Sequence, residues 1–520
     1  MESFRWRIPE RFNIGVDIAD RHAGALALVE LDPSGRASEF SFDAISELSN
    51  RFANLLVAQG LSRGDRVAIL LPQRHETAVA HAGAWKAGLV TVPLFTLFGE
   101  EALEFRLRDS GARAIVTDRD QLPKLARVQA PELRAVFCAD GPADGALDLH
   151  ALLQRASDRF APVDTAAEDP AVIIYTSGTT GQPKGALHAH RVLLGHLPGV
   201  EHPHDGFPQP GDRFWTPADW AWIGGLFDVL VPAWHHGVAV VAHRPRKFDP
   251  GEALRLMARQ GVRNVFMPPT ALKLLRASGA REPGVRLRSL ASGGESLGED
   301  LIDWGREMFG LTINEFYGQT ECNVVLGNGA ALPPVRPGWT GTAIPGHIVS
   351  IVDGEGRELR PGELGNIAYR RPDPVMFLGY WNNPKATAAK FRGDWLISGD
   401  LGMRDEAGYF KFAARDDDVI TSGGYRIGPG EIEACLSRHP AVALAAVVGE
   451  PDPIRTEVVK AVVVLRDGFA GTDALRADLQ QFVRSKLAAH EYPRIVEFVK
   501  ELPLTATGKI IRRALRSPRR

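Results

Sequence analysis

The apolar run Ala171-Val172-Ile173-Ile174 leads straight into Tyr175-Thr176-Ser177-Gly178-Thr179-Thr180-Gly181-Gln182-Pro183-Lys184-Gly185. This junction constrains the fold more than any other segment of the 520 residues. The β-branched residues predict a buried strand. The glycines after this strand let a backbone approach a polyphosphate closely, and successive N–H groups can form an anion-binding concavity. The hydroxyls add donors, and Lys184 adds a mobile cation. A Walker-type loop ends in Gly-Lys-Ser/Thr; Pro183 before Lys184 and Gly185 after it exclude that reading. Taken alone, the segment could also be a Ser/Thr/Gly surface turn.

The flanking sequence sets this loop in an α/β frame. From Ser41 to Leu56, residues Phe42, Ile45, Leu48, Phe52, Leu55 and Leu56 fall at helical spacing, with Gly60 as a stop. Arg66 to Leu71 predicts a short buried strand, Glu76 to Lys86 a helix, and Leu89 to Val92 a strand. Gly99 to Asp109 predicts a helix and Ala114 to Thr117 a strand. This order implies a parallel sheet covered by helices on both faces. Further on, the charged run Arg415-Asp416-Asp417-Asp418 follows the strand-like Tyr409 to Phe412. Beyond it come a helix (Pro429 to Arg438), two strands (Ala443 to Val448, Val458 to Leu465) and a helix (Thr472 to Lys486), enough for a small α+β domain. Residues 1–414 and 419–520 are therefore expected to form separate domains.

The chain is longer than one core usually supports. A net charge of −2 supplies no global field for nucleic acid or an anionic membrane. Cys138, Cys322 and Cys435 are odd in number and far apart, which argues for a reducing compartment and against a disulfide framework or a zinc site. The N-terminus lacks an apolar signal core, and no apolar run approaches the ~20 residues of a membrane helix. A cytoplasmic protein with no membrane span is expected.

Five further segments join the hydroxyl-rich loop: Gly293-Gly294-Glu295, Tyr317-Gly318-Gln319-Thr320-Glu321, Ser398-Gly399-Asp400, Arg415 to Asp418 through Gly424-Tyr425-Arg426, and Pro503-Leu504-Thr505-Ala506-Thr507-Gly508-Lys509. In this order the six resemble the motifs of the adenylate-forming superfamily, over most of the chain. Tyr-Gly-Gln-Thr-Glu with Gly-Gly-Tyr-Arg-Ile-Gly is most similar to medium-chain acyl-CoA synthetases and their acetyl-CoA synthetase cousins. The resemblance implies a large N-terminal domain of packed α/β sheets and a smaller, mobile α+β C-terminal domain. The smaller domain would swing about Asp417 in a hinge at 415–418.

It also implies a chemistry. A carboxylate attacks the α-phosphate of ATP, pyrophosphate leaves, and the thiol of coenzyme A then displaces AMP from the acyl-adenylate. Lys509 would bridge the carboxylate and the α-phosphate, and Glu321 would hold Mg²⁺. Thr176 and Thr320 would donate hydroxyls, while Ser177, Gly178, Thr179, Thr180, Gly181 and Lys184 would cradle the phosphates. Asp400, assisted by Arg415, would take the ribose hydroxyls. Tyr317 would lie against adenine beside Gly293, Gly294 and Glu295, with Gln319 in the same segment. Arg426 would reach the phosphate in one domain orientation only. Without the resemblance, Lys509 reads as one more solvated cation, Glu321 as a surface carboxylate and Asp400 as a turn residue.

Gly318 stands where acetate-specific relatives carry a tryptophan, so a deeper acyl pocket is expected, walled by Trp220, Trp222, Gly224, Gly225 and Phe227. Each extra buried CH₂ is worth ~0.8 kcal/mol, favouring a medium-chain, aromatic or alicyclic acid. Tryptophan and phenylalanine at this spacing are equally at home in a core. Ser422, Gly423, Gly424 and Tyr425 resemble the loop that lines the pantetheine tunnel. No carrier domain follows Lys509, so free coenzyme A is the expected acceptor. The alternatives are a stand-alone enzyme loading a separate carrier protein, an oxygen-using luciferase-type enzyme, and a catalytically silent sensor of acyl-adenylate or ATP. The Lys509 loop also resembles the segment read by protein acetyltransferases, which makes such an enzyme a candidate partner.

Overall fold

The computed structural model describes residues 4–516 except 177–181, 244, 246, 296, 330–333, 416–417, 423–424, 453–454, 488–491 and 506–508. Residues 415, 421, 425, 426, 431 and 456 are described by their backbone alone.

Two large sheets carry the N-terminal part. The first runs, in spatial order, Gly379–Tyr380, Lys184–Ala189, Pro170–Thr176, Val90–Pro93, Arg66–Leu70, Ala112–Thr117, Ala135–Cys138 and Leu147–Asp148. Every pairing from Pro170–Thr176 to Leu147–Asp148 is parallel, as the strand–helix alternation requires. At the other edge the order departs from the expected parallel sheet. Lys184–Ala189 returns antiparallel against Pro170–Thr176, and Gly379–Tyr380 adds a second antiparallel strand. The strands on either side of the hydroxyl-rich loop therefore form a hairpin, their connection being too short for the crossover that a parallel return needs.

The second sheet has the order Thr342–Ala343, Asn323–Gly327, Ile313–Gln319, Ser289–Gly293, Asn264–Phe266, Arg213–Trp215, Ala239–Ala242, Leu26–Leu31 and Ala37–Ser41, parallel in the middle and antiparallel at both ends. Helices pack between and over these sheets. Phe42–Ala58 starts where expected because the Ser41 hydroxyl accepts the Ala44 N–H at 3.2 Å. It lies against His75–Lys86 so closely that a Cβ at Gly83 would sit 2.6 Å from the Ser49 carbonyl oxygen.

A third, five-stranded sheet comprises Val349–Val352, Gly365–Arg370, Phe391–Arg392, Trp395–Arg404 and Phe410–Arg415. A fourth holds Ile420–Ser422, Tyr425–Ile427, Val442–Asp452, Thr456–Leu465 and Ile495–Val499. Helices Pro429–Ser437 and Asp473–Lys486 supply Ile432, Leu436, Leu479 and Val483 to a core that also takes Ile420, Val447 and Val463. Among the described residues, no helix is long and apolar enough to cross a membrane.

Candidate active site

Strands Ser289–Gly293 and Ile313–Gln319 run parallel with Gly293 opposite Phe316, so their C-terminal ends open side by side. In parallel α/β sheets ligands bind beyond such ends. A Cβ at Gly293 would lie 2.4 Å from the Phe316 ring, so the pairing itself requires glycine. Gly294 turns away with φ +92°, and an added Cβ there would stand 3.2 Å from the Trp222 ring and 3.3 Å from Lys509 Cε. On its other side the Trp222 ring fills the space over Gly224, 2.9 Å from an added Cβ. The Lys509 ammonium stands 5.4 Å from the centre of the Trp222 ring, within cation–π range. Its loop is closed locally. The Lys509 N–H donates to Thr505 Oγ1 at 3.0 Å, and the Thr505 N–H donates to the Lys509 carbonyl at 2.7 Å.

A second cluster lies at the end of the neighbouring strand. The Tyr317 hydroxyl and the Gln319 amide both donate to Asp400 Oδ2 at 2.6 Å, and Gln319 also donates to the Ser398 carbonyl at 3.1 Å. The Tyr369 hydroxyl donates to the Tyr317 oxygen at 3.0 Å. Burial, then the Asp400 carboxylate, pushes the Tyr317 phenol well above its ordinary pKa, so it remains a donor at neutral pH. Asp400 is buried and stands opposite Arg415 in the antiparallel pairing of Trp395–Arg404 with Phe410–Arg415.

The third cluster joins the two sheets. Glu321 is buried and accepts the Tyr380 hydroxyl on Oε1, with the Lys390 ammonium 4.0 Å from the same oxygen. Tyr380 lies on the edge strand paired with Lys184–Ala189, and the Lys184 ammonium stands 5.2 Å from the centre of its ring. Thr176 is opposite Lys184 at the mouth of the hairpin, and its hydroxyl donates to the Lys184 carbonyl at 3.4 Å. Thr320 is half-buried beside Glu321. The buried His188 imidazole lies close enough to feel the Glu321 charge, while burial lowers its pKa to about 4 and keeps it neutral.

The structure thus brings Lys509, Gly293, Gly294 and Trp222 together, Tyr317 and Gln319 onto Asp400, and Lys184 and Thr176 near Tyr380 and Glu321. Glu295 follows the Gly294 turn and accepts the Thr270 hydroxyl at 2.7 Å. Ser422 is buried and faces Tyr425 across a hairpin. Ser177, Gly178, Thr179, Thr180, Gly181, Asp417, Gly423 and Gly424 lie outside the described residues, as do the side chains of Arg415, Tyr425 and Arg426.

Three pocket expectations need correction. Gly318 does not open a floor. Its missing Cβ points at the chain, where an added atom would fall 1.5 Å from the Asn323 carbonyl oxygen and 2.8 Å from Val324 Cα. The strand pairing slips between Tyr317 and Gly318, and Asn323 turns with φ +50°, so the glycine serves a tight backbone crossing. Gly225 likewise faces backbone, 2.2 Å from the Asp219 carbonyl oxygen. Trp220 has no exposed surface and belongs to the core, whereas Trp222 is only partly buried. Sequence reasoning missed Tyr380, Lys390, Tyr369 and His188, because no local pattern announces a residue brought in by a distant strand.

The hairpin strands that flank the hydroxyl-rich segment, the buried Asp400 carboxylate with its donors, and Lys509 brought to Gly294 fit the adenylate-forming class of enzyme. Known proteins agree. The family model for AMP-binding enzymes matches residues 17–381, and the model for the AMP-binding enzyme C-terminal domain matches residues 431–509. The chain belongs to the AMP-binding enzyme family and is an acid–thiol ligase that uses ATP and coenzyme A. It is 38% identical to the mitochondrial acyl-coenzyme A synthetase ACSM2 of Rattus norvegicus, covering 98% of this chain and 92% of that one. It is 35% identical to acetyl-coenzyme A synthetase of Bacillus subtilis, covering 98% and 90%. Its structure resembles an anthranilate CoA ligase in complex with anthranoyl-AMP, with a TM-score of 0.89, 29% identity and coverage of 98% and 97%.

Proposed function

We propose that the protein activates a medium-chain, aromatic or alicyclic carboxylate and transfers it to free coenzyme A. The observation that carries the site assignment is Lys509 held at Gly294 and over Trp222, where a cation belongs during adenylate formation. In the first step a carboxylate oxygen bonds to the α-phosphorus of ATP as the bond to the β-phosphate oxygen breaks, releasing pyrophosphate. Both reactants are anionic, so charge neutralisation and in-line positioning supply most of the catalysis. Lys509 bridges the carboxylate and the α-phosphate. Thr176, Thr320, Lys184 and the 177–181 loop hold the phosphates, Asp400 takes the ribose hydroxyls with Arg415, and Tyr317 lies along adenine.

Glu321 offers an ionisable carboxylate beside these hydroxyls, a donor set that suits Mg²⁺. The ion, when bound, would offset phosphate charge. For the second step residues 419–520 rotate about Asp417 against residues 1–414, bringing Arg426 and the Ser422–Tyr425 hairpin to the adenylate. The coenzyme A sulfur then bonds to the acyl carbon, the bond to AMP breaks, and the thiol proton is released. The acyl preference rests on the partly buried Trp222 ring beside the Gly294 turn and on the anthranilate ligase likeness. Three free, buried cysteines fit a cytoplasmic site of action.

The test is pyrophosphate release across acetate to dodecanoate, benzoate and cyclohexanecarboxylate, with and without coenzyme A. Sustained turnover of a medium-chain or ring acid only with coenzyme A is expected. A single burst indifferent to coenzyme A would point instead to a carrier-protein acceptor, and preference for acetate would overturn the acyl assignment.

A further inference from the structure

The described residues after Lys509 are tied down. Arg512 Nη2 donates to both carboxylate oxygens of Glu433, at 2.9 and 2.8 Å, and Nη1 stands 3.7 Å from Asp418 Oδ2. Arg516 Nη2 donates to Asp418 Oδ1 at 3.2 Å. Glu433 is itself fixed, because its Oε1 also accepts the Val447 N–H at 2.8 Å. Burial by itself would lower the Arg512 guanidinium, yet Glu433, Asp418 and, more weakly, Glu295 hold it above its ordinary pKa. The neighbouring Arg513 is exposed.

This clamp sits at the base of the Lys509 loop. The Ile511 N–H donates to the Pro503 carbonyl at 2.8 Å, and Leu504 bridges to Ile510, so the segments on either side of the loop are held together, with Arg512 on the outgoing side. Asp418 directly follows the proposed hinge residue Asp417. Arg512 therefore connects the far side of the hinge to the base of the loop that bears Lys509. Both of its ion-pair partners, Asp418 and Glu433, lie beyond residue 417, so the clamp can persist through a rotation there.

We propose that Arg512 is a positioning residue for adenylate formation: through Glu433 and Asp418 it locks the Lys509 turn to the segment after the hinge, so that a rotation at Asp417 carries the Lys509 ammonium to Gly294 without slack. The proposal rests on the assignment of Lys509 to the first half-reaction. Without the clamp the turn keeps its own backbone bonds but loses its fixed direction, and a misplacement of about 1 Å costs up to ~100-fold in rate.

The experiment compares Arg512→Ala, Arg512→Lys, Arg513→Ala and Lys509→Ala in two assays: single-turnover pyrophosphate release, and thioester formation from supplied acyl-adenylate. Arg512→Ala should slow pyrophosphate release roughly 10- to 100-fold at saturating ATP, with the KM for ATP and the thioester step changed less than about threefold. Arg512→Lys should recover part of the rate, since an ammonium still pairs with Glu433 but cannot form the fork. Arg513→Ala should behave as the parent protein. Loss of both half-reactions alike, with Arg512→Lys no better, would reduce Arg512 to a folding residue and overturn the proposal. An unchanged Arg512→Ala beside an inactive Lys509→Ala would overturn it alone, whereas normal pyrophosphate release from Lys509→Ala would remove the underlying assignment as well.

Discussion

Lys509→Ala is expected to slow adenylate formation from acid and ATP by about 1,000-fold while leaving thioester formation from supplied acyl-adenylate within a few-fold of the parent rate. The asymmetry comes from where the lysine stands. Its ammonium is placed over Trp222 and its Cε beside Gly294, at the ends of the strands where two anions must meet. A positive charge there acts on the negative charge that gathers as carboxylate and phosphate approach. No such gathering occurs when a neutral thioester forms from an adenylate already made. Comparable loss in both assays would show that Lys509 supports the structure or the whole cycle, and not the first step.

The second large effect concerns Gly318. With the Asn323 carbonyl oxygen 1.5 Å from an added Cβ, no rotamer relieves the clash, and the Tyr317–Glu321 segment must move. Gly318→Ala should therefore cost about 3 kcal/mol or more and also displace Tyr317, Gln319 and Glu321 from their partners. Thermal unfolding and pyrophosphate release measured on the same preparation should fall together. Gly318→Trp should be worse still. A Gly318→Trp protein that melts normally and merely shifts its preference toward acetate would restore the pocket-floor reading and refute the backbone one.

Much of the frame was legible because it depends on local pattern. The Ser41 cap and the apolar spacing after it mark the first long helix, and Thr472 marks another by accepting the Leu475 N–H at 3.2 Å. The nearness of Asp400 to Arg415, implied by the family resemblance, appears as a direct cross-strand pairing. The antiparallel return after the hydroxyl loop was not legible, since the run Lys-Gly-Ala-Leu-His-Ala that makes it carries no clear strand pattern. Nor does a glycine in a sequence reveal which way its missing side chain points. Gly318, Gly224 and Gly225 looked alike, yet one clears the Trp222 ring and the other two let backbones cross. Trp220 and Trp222, two residues apart, separate into core and site for the same reason. Tyr380 escaped notice because its contact with Glu321 exists only once Gly379–Tyr380 has joined the edge of the first sheet.

The most direct test of the chemistry traces the oxygen atoms. A medium-chain or aromatic acid labelled with heavy oxygen at both carboxyl positions is turned over with ATP and coenzyme A, and the products are weighed by mass spectrometry. Attack by the carboxylate on the α-phosphorus predicts one labelled oxygen in AMP and the other in the thioester. Label in inorganic phosphate with release of ADP, or AMP free of label, would contradict adenylate formation.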